Sequence, residues 1–185
     1  MESIGNILYS IINEIGKEKI QADITLNVGV SKQYIQMIID RFNGVVNLND
    51  ENVGSLCEAL LHFMLTTRTL PSVRKVTIEK INLDVVIPNL HTLNNFPEKA
   101  IIIQIVKDSQ GITEDQQENI ATIQPNVNNI WVVTRESASG NYVNYTVECG
   151  NEKSTSSQRR NFHDIIVDID AFLDKTNDKS FRFFH

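Results

Sequence analysis

Four polar side chains stand within or beside predicted apolar elements, and they are the candidates for chemistry in this chain. Glu58 lies near the middle of a predicted helix, and Asp84 opens the apolar run Val-Val-Ile-Pro. Gln104 interrupts an otherwise apolar strand, and Lys107 ends that strand. A polar group in a buried strand costs free energy unless it has a partner. The strand therefore carries either a functional site or a glutamine that satisfies a backbone group.

Each candidate also has a purely structural interpretation. Asp84 would cap a turn or pair with a basic neighbour, and Glu58 would be an exposed surface carboxylate. Gln104 would satisfy a backbone group, and Lys107 would mark the solvent end of its strand. The elements that position these residues decide between the two interpretations.

The central predicted strand covers residues 99–107, which hold four isoleucines and one valine. β-Branched residues fit a pleated sheet, and continuous apolarity predicts that both of its faces are covered. A helix at 114–124 separates this strand from a second buried strand at 129–134, so we expect the two strands to be parallel. The other predicted elements are a helix at 52–67, two strands within 73–87 that turn near Glu79-Lys80, an edge strand at 142–147, a polar loop at 150–160 and a last helix at 162–173.

From residue 52 onward the element order α-β-β-β-α-β resembles the core of the restriction-endonuclease-like superfamily, the PD-(D/E)xK nucleases. The resemblance implies an α/β fold with a mixed sheet. It also implies that Asp84 and Glu58 hold Mg²⁺, a hard cation that prefers oxygen ligands. The metal polarises the scissile phosphate and activates water, and a lysine orients that water or stabilises developing charge.

The third strand departs from this family pattern. Gln104 stands where the family usually has an acidic residue, although some branches use Gln. The lysine is expected at position 106, which is Val106, and Lys107 follows one residue later. On a regular strand Lys107 points to the opposite face from Gln104 unless a β-bulge at 105–106 restores it. The resemblance thus implies a catalytic set of Asp84, Gln104, Lys107 and Glu58 that is partly degenerate.

A second resemblance lies in the N-terminal quarter, where short helices are predicted at 18–27 and 31–42. Gly29 is expected to take a positive φ in the turn between them, and Ser31 to cap the second helix. The apolar residues that would share a small core are Ile24, Val28, Val30, Ile35 and Ile38. This arrangement resembles a helix-turn-helix DNA-binding motif, with Thr25 where the family most often has Ala.

The helix-turn-helix resemblance implies that the second helix enters the major groove of DNA. Lys32, Gln33 and Gln36 would then face DNA, with Tyr34 on a phosphate. Glutamine can bond adenine edges in two places, and lysine can contact guanine or phosphate. The alternative is a helical hairpin without a role in DNA binding.

The composition limits the class of protein and the kind of DNA contact that the chain can make. With 41% hydrophobic and 22% charged residues, the chain is globular rather than mainly disordered. Its formal net charge of −6 requires any DNA contact to come from local basic faces. Cys57 and Cys149 have no metal-like spacing, and we expect both to be reduced in a cytoplasmic protein. A polar linker predicts a boundary between a helix-turn-helix-like DNA-binding domain at 1–50 and a nuclease-like α/β domain at 51–185.

Three functions follow from these observations. The first is a Mg²⁺-dependent DNA endonuclease that a helix-turn-helix positions on DNA. The second is the same fold with a degraded site, which acts by binding DNA or a partner. The third is a protein-interaction scaffold without DNA binding, and a homodimer or a protein partner is compatible with each. The acidic balance and the displaced Lys107 favour the second function.

Overall fold

The computed structural model describes residues 3–47, 49–108, 111–136, 140–147 and 159–181, with side chains up to residue 176. Its helices are α1 Ile4–Ile15, α2 Lys17–Leu26, α3 Ser31–Asn43, α4 Asp50–Thr67, α5 Leu90–Asn95, α6 Glu114–Ile123 and α7 Ile165–Phe181. Its strands are β1 Val73–Ile78, β2 Ile81–Ile87, β3 Ile101–Ile105, β4 Ile130–Thr134, β5 Val143–Thr146 and β6 Arg159–Asn161. None of the described helices is long and apolar enough to cross a membrane.

The six strands form one mixed sheet in the order β1-β2-β3-β4-β5-β6. β2 pairs antiparallel with both β1 and β3, and β3 to β6 run parallel. The predicted α/β class and mixed sheet are confirmed, as is the parallel pairing across the helix. That helix, α6, begins at a capping box formed by Thr113 and Gln116.

Both faces of the sheet are covered, as the apolar run in β3 predicts. Ile101, Ile103 and Ile105 belong to a hydrophobic cluster that also includes residues of α1 to α4 and α7. Ile102 points the other way, into a second cluster with Ile120 of α6. The first cluster joins the N-terminal helices to the sheet, while the predicted division at residue 50 stays a prediction.

The hairpin between β1 and β2 turns at Glu79 and Lys80, as predicted. Both residues have positive φ angles, 48° and 72°. A two-residue turn with two positive φ angles suits the right-handed twist of a hairpin, although Asn and Gly are the usual residues there.

Two details of the predicted helix-turn-helix are wrong, although both helices are present. Gly29 lies in a 3-10 turn and is not among the glycines with positive φ; its N–H donates to Oδ1 of Asn27 at 2.9 Å. Ser31 does not cap α3, because the 3-10 turn runs directly into the helix and gives Ser31 helical angles. Its buried Oγ has no hydrogen-bond partner among the described residues.

The predicted edge strand is wrong as well. β5 is not at the edge, because β6 pairs with it in parallel on its free side. The residues of β6, Arg159–Asn161, begin within the stretch predicted as a polar loop. Three polar residues carry no period that distinguishes a short strand from a loop.

Candidate functional site

Glu58 receives three cations at the C-terminal end of β3. Its Oε1 lies 2.7 Å from Nζ of Lys75 and 3.4 Å from Nη2 of Arg74. Its Oε2 lies 2.6 Å from Nζ of Lys107. The Glu58 side chain is 12% exposed, so the interpretation of an exposed surface carboxylate is wrong. We call Glu58, Arg74, Lys75 and Lys107 the Glu58 cluster.

The cations keep Glu58 ionised despite its burial. Burial would raise the pKa of this carboxyl, but hydrogen bonds and charge from Lys107 and Lys75 outweigh it and lower the pKa to about 2. At neutral pH the carboxylate is therefore negative and electrostatically compensated.

Gly54 lets the end of β3 reach this carboxylate. Gly54 precedes Glu58 by one helical turn of α4, on the same face. A Cβ atom at position 54 would lie 2.6 Å from the carbonyl oxygen of Val106 and 2.7 Å from Cγ of Lys107. Only a residue without a side chain admits this approach, which carries Lys107 to Glu58.

Asp84 occupies a gap between three strands. The β1–β2 ladder is paired on either side of Lys75 and Asp84 but skips that pair. The β2–β3 ladder likewise begins only at Val85 and Ile103. The backbone of β2 is therefore irregular at the position of its carboxylate, and side chains take over the pairing.

Two side chains replace the missing ladder bonds. The N–H of Ile105 donates to Oδ2 of Asp84 at 2.8 Å. The N–H of Asp84 donates to Oε1 of Gln104 at 2.9 Å, and Nε2 of Gln104 donates to the carbonyl oxygen of Asn82 at 2.9 Å. Both Asp84 and Gln104 thus satisfy backbone groups, which is the structural role foreseen for Gln104.

The surroundings favour the ionised form of Asp84 less than that of Glu58, because they raise the pKa of Asp84 and lower that of Glu58. Burial raises the pKa of Asp84, the bond from Ile105 opposes that rise, and the negative charge of Glu58 raises the pKa further. Lys107 and Lys75 lower it again. These couplings place Asp84 in the same electrostatic field as the Glu58 cluster.

Lys75 reaches Glu58 through an unusual backbone. In a regular strand Arg74 and Lys75 would point to opposite faces. Lys75 has φ 50°, in the left-handed region, where a residue with a side chain costs about 1–2 kcal/mol. This distortion accompanies the placement of two consecutive cations on one oxygen of Glu58.

Gln104 and Lys107 diverge, as strand geometry predicts without a bulge. The ladder continues regularly to Val106, whose N–H donates to the carbonyl oxygen of Val133 at 2.9 Å, so the bulge considered at 105–106 does not form. Gln104 turns to the backbone of β2, whereas Lys107 turns to α4. The length of the Lys107 side chain, rather than a shift in register, brings its ammonium to the carboxylate.

The residues present do not fit a Mg²⁺ centre. Glu58, one of the two implied ligands, already has cations on both oxygens, and Oδ2 of Asp84 accepts a backbone bond. The position of the third-strand acid holds Gln104. Within the part of the chain that the structure describes, no three His, Cys, Asp or Glu side chains are arranged to hold a metal ion. A divalent cation here would lie beside three positive side chains.

The predicted DNA-binding residues of α3 are mostly on the surface. Lys32, Gln33 and Gln36 line an open groove of about 530 Å³ together with His163. Lys32 forms a 2.6 Å ion pair with Asp164.

Tyr34 is not among the residues that line that groove. The residue is buried, and its hydroxyl donates to a carboxylate oxygen of Asp23, a bond that raises the pKa of Tyr34 to about 12. In this arrangement the hydroxyl forms an intramolecular hydrogen bond. Contact between α3 and DNA stays a prediction.

Sequence reasoning brought Glu58, Asp84, Gln104 and Lys107 together but missed Gly54 and the pairing of Lys75 with Glu58. A glycine four residues before Glu58 inside a predicted helix was the available signal for Gly54. The left-handed backbone of Lys75 leaves no signal in the residue types.

The fold, once compared with solved structures, has clear neighbours. A metal-depleted Ecl18kI in complex with uncleaved, modified DNA aligns over 96% of this chain and 80% of its own, with 13% identity and a TM-score of 0.60. A PspGI restriction endonuclease–substrate DNA complex aligns over 95% of this chain and 94% of its own, with 15% identity and a TM-score of 0.54. A metal-depleted Ecl18kI with uncleaved DNA gives 13% identity, 95% and 80% coverage and a TM-score of 0.55. No protein-family model and no curated protein matches the chain. The chain therefore has a restriction-endonuclease-like fold.

Proposed function

We propose that this chain is a DNA-binding protein on a nuclease-like fold whose catalytic site is partly degenerate. The observation that carries the proposal is the state of Glu58, whose two oxygens are taken by Lys75 and Lys107. Gln104 stands at the position of the third-strand acid, and its side-chain amide forms hydrogen bonds with the backbone of β2. A carboxylate compensated in this way suits a binding site better than a metal-dependent hydrolase.

Support for DNA as the ligand comes from the fold and from the surface. The three similar structures are complexes with DNA. The groove on α3 presents the side chains of Lys32, Gln33 and Gln36, which can bond base edges and phosphates. If α2 and α3 act as a helix-turn-helix, the groove on α3 would be part of the DNA-binding surface.

A Mg²⁺-dependent endonuclease is the second candidate. The observation in its favour is that Asp84, Glu58 and Lys107 do lie in one electrostatic cluster, as the family pattern implies. This activity would require DNA to draw the lysines away from Glu58. A protein-interaction scaffold without DNA binding is the third candidate.

Nicking of supercoiled plasmid separates the first two candidates. Wild type and Asp84→Ala are incubated with plasmid in Mg²⁺ or Mn²⁺, and nicked and linear forms are measured. We expect no difference between the two proteins and the metal-only control. Metal-dependent nicking that Asp84→Ala abolishes would establish the endonuclease.

Retention of DNA on the immobilised protein separates the first candidate from the scaffold. We expect retention at low salt that declines steeply as salt rises, since phosphate contacts release counterions. Absence of retention at low salt would contradict both DNA functions. A homodimer, a protein partner and a cytoplasmic location belong to the proposal as expectations from the sequence.

A further inference from the structure

The Glu58 cluster brings together more positive than negative charge. Arg74, Lys75 and Lys107 converge on one carboxylate, and the negative charge of Glu58 also acts on Asp84. Three cations against two carboxylates leave an excess of one positive charge. This excess stands out in a chain whose formal net charge is −6.

Some other described cations are each paired with a single carboxylate. Arg41–Glu14, Arg68–Asp170 and Arg160–Asp168 are ion pairs of this kind. Such pairs cancel their own charge and offer little attraction to a polyanion. In the Glu58 cluster, by contrast, three cations share one carboxylate, so an incoming anion meets positive charge in excess.

The ammonium groups of the cluster face solvent while the carboxylate lies beneath them. The side chains of Lys75 and Lys107 are 68% and 42% exposed, against 12% for Glu58. Each ammonium has three donors, of which Glu58 takes one. Because the two ammoniums bind different oxygens of Glu58, they lie side by side with their remaining donors available.

Two features that cost free energy accompany this arrangement. Lys75 holds a left-handed backbone, and α4 carries a glycine at position 54. A glycine inside a helix costs about 0.5–1 kcal/mol relative to alanine. Unfavourable local conformations of this kind concentrate at functional sites.

The geometry points to a metal-independent phosphate-binding site in which Lys75 and Lys107, with Arg74, hold a phosphodiester of duplex DNA. Glu58 is then a counter-charge beneath the cations, rather than a metal ligand. This inference rests on the proposed DNA-binding function and assigns the phosphate contact to a specific site.

The first test measures the affinity for a fluorescein-labelled DNA duplex of about 30 base pairs in EDTA, by fluorescence anisotropy across a salt series. We expect the double variant Lys75→Gln/Lys107→Gln to bind about tenfold more weakly at low salt. The slope of log affinity against log salt should become shallower by about 2, near one per lost phosphate contact. Circular dichroism verifies that the variant is folded.

Two matched variants control this test. Lys75→Arg/Lys107→Arg keeps both charges and should bind within about twofold of wild type. Lys175→Gln removes the same charge from an exposed position in α7, beside residues that line a groove with Pro88 at the opposite end of the sheet. This variant should leave the affinity and the salt slope unchanged.

The Glu58→Gln variant distinguishes a counter-charge from a Mg²⁺ ligand, because the two roles predict changes in DNA affinity of opposite sign. If Glu58 is a counter-charge, its neutralisation frees positive charge and should strengthen binding in EDTA severalfold. As a Mg²⁺ ligand needed for DNA binding, its neutralisation would weaken binding in Mg²⁺, and EDTA would weaken the wild type.

The outcomes distinguish a failure of the proposed phosphate site from a failure of the proposed DNA-binding function. If the glutamine double variant binds as well as Lys175→Gln, the phosphate site is wrong while DNA binding stands. If Glu58→Gln weakens binding in EDTA, the counter-charge role is wrong. If wild type does not bind the duplex at low salt, the proposed function itself is contradicted.

Discussion

Glu58 shows how neighbouring charges decide the role of a carboxylate. An oxygen ligand for Mg²⁺ must be negative and accessible, and Glu58 meets the first condition but shares both oxygens with cations. The same contacts mean that ionised Glu58 stabilises the folded protein at neutral pH. This contribution to the free energy of unfolding decreases when the carboxylate is protonated.

The first prediction concerns the acid stability of Glu58→Gln. Because the pKa of Glu58 in the folded protein, about 2, lies below its unfolded value, its contribution is complete above the unfolded pKa and is lost as pH falls toward 2. We expect wild type to lose on the order of 2–3 kcal/mol from this residue between about pH 5 and pH 2. Glu58→Gln should lose correspondingly less, as measured by urea unfolding at each pH.

A charge-matched control isolates the residue. Glu79→Gln removes a carboxylate from the exposed hairpin turn and should reproduce the wild-type curve. Asp84, whose pKa is raised, acts in the opposite direction: its contribution favours folding at low pH and is lost as pH rises through the folded pKa. Equal acid sensitivity of Glu58→Gln and wild type would contradict the ion pairs.

The second prediction concerns Asp84 as a backbone acceptor. Asp84→Ala leaves the N–H of buried Ile105 without its acceptor, which should reduce the free energy of unfolding by about 1–3 kcal/mol. Asp84→Asn keeps an oxygen at that position and should lose less. Urea unfolding at neutral pH measures both, and an alanine variant as stable as wild type would exclude the structural role.

At the scale of single residues, the four candidates could be found from their types and positions in the chain. Gln104 was foreseen as a residue that satisfies a backbone group, and it does so. The pairing of Lys75 with Glu58 depends on a left-handed φ at a lysine, which residue types do not encode.

At the scale of elements, α4 and the end of β3 form the site by close approach. Their separation is set by Gly54, since any Cβ there would meet the carbonyl oxygen of Val106 at 2.6 Å. This contact is invisible in the sequence until the two elements are placed side by side.

The third prediction is that Gly54→Ala destabilises the protein. Overpacking against a backbone carbonyl should cost about 1–3 kcal/mol and move Lys107 away from Glu58. Gly5→Ala is the matched control, because a Cβ at this exposed position in α1 would lie 4.0 Å from Oγ of Ser3, the nearest atom within reach. That change should stabilise by up to about 1 kcal/mol. Thermal unfolding of both variants checks the prediction, which a neutral or stabilising Gly54→Ala would refute.

Long apolar elements were predictable because their burial leaves a pattern. The strand at 99–107 and the helix at 52–67 appear as β3 and α4, with the expected neighbours. β6 was not predictable, because three polar residues gain their strand geometry from pairing with β5 and not from their own preference.

At the scale of the whole molecule, an acidic chain carries a small positive site on a restriction-endonuclease-like fold. The net charge of −6 opposes long-range attraction to DNA, so the proposed binding would depend on a few local contacts. We therefore expect a modest salt dependence that reflects two or three phosphate contacts, in contrast to proteins that neutralise about 6–10 phosphates.

The ratio of DNA affinities with and without divalent metal tests the central claim most directly. Binding of the labelled duplex by wild type is measured in EDTA and in Mg²⁺ at matched ionic strength, and the DNA is then examined for cleavage. We predict measurable binding in EDTA, an affinity ratio near one and intact DNA. Binding that requires Mg²⁺, or cleavage in its presence, would contradict a metal-independent DNA-binding site.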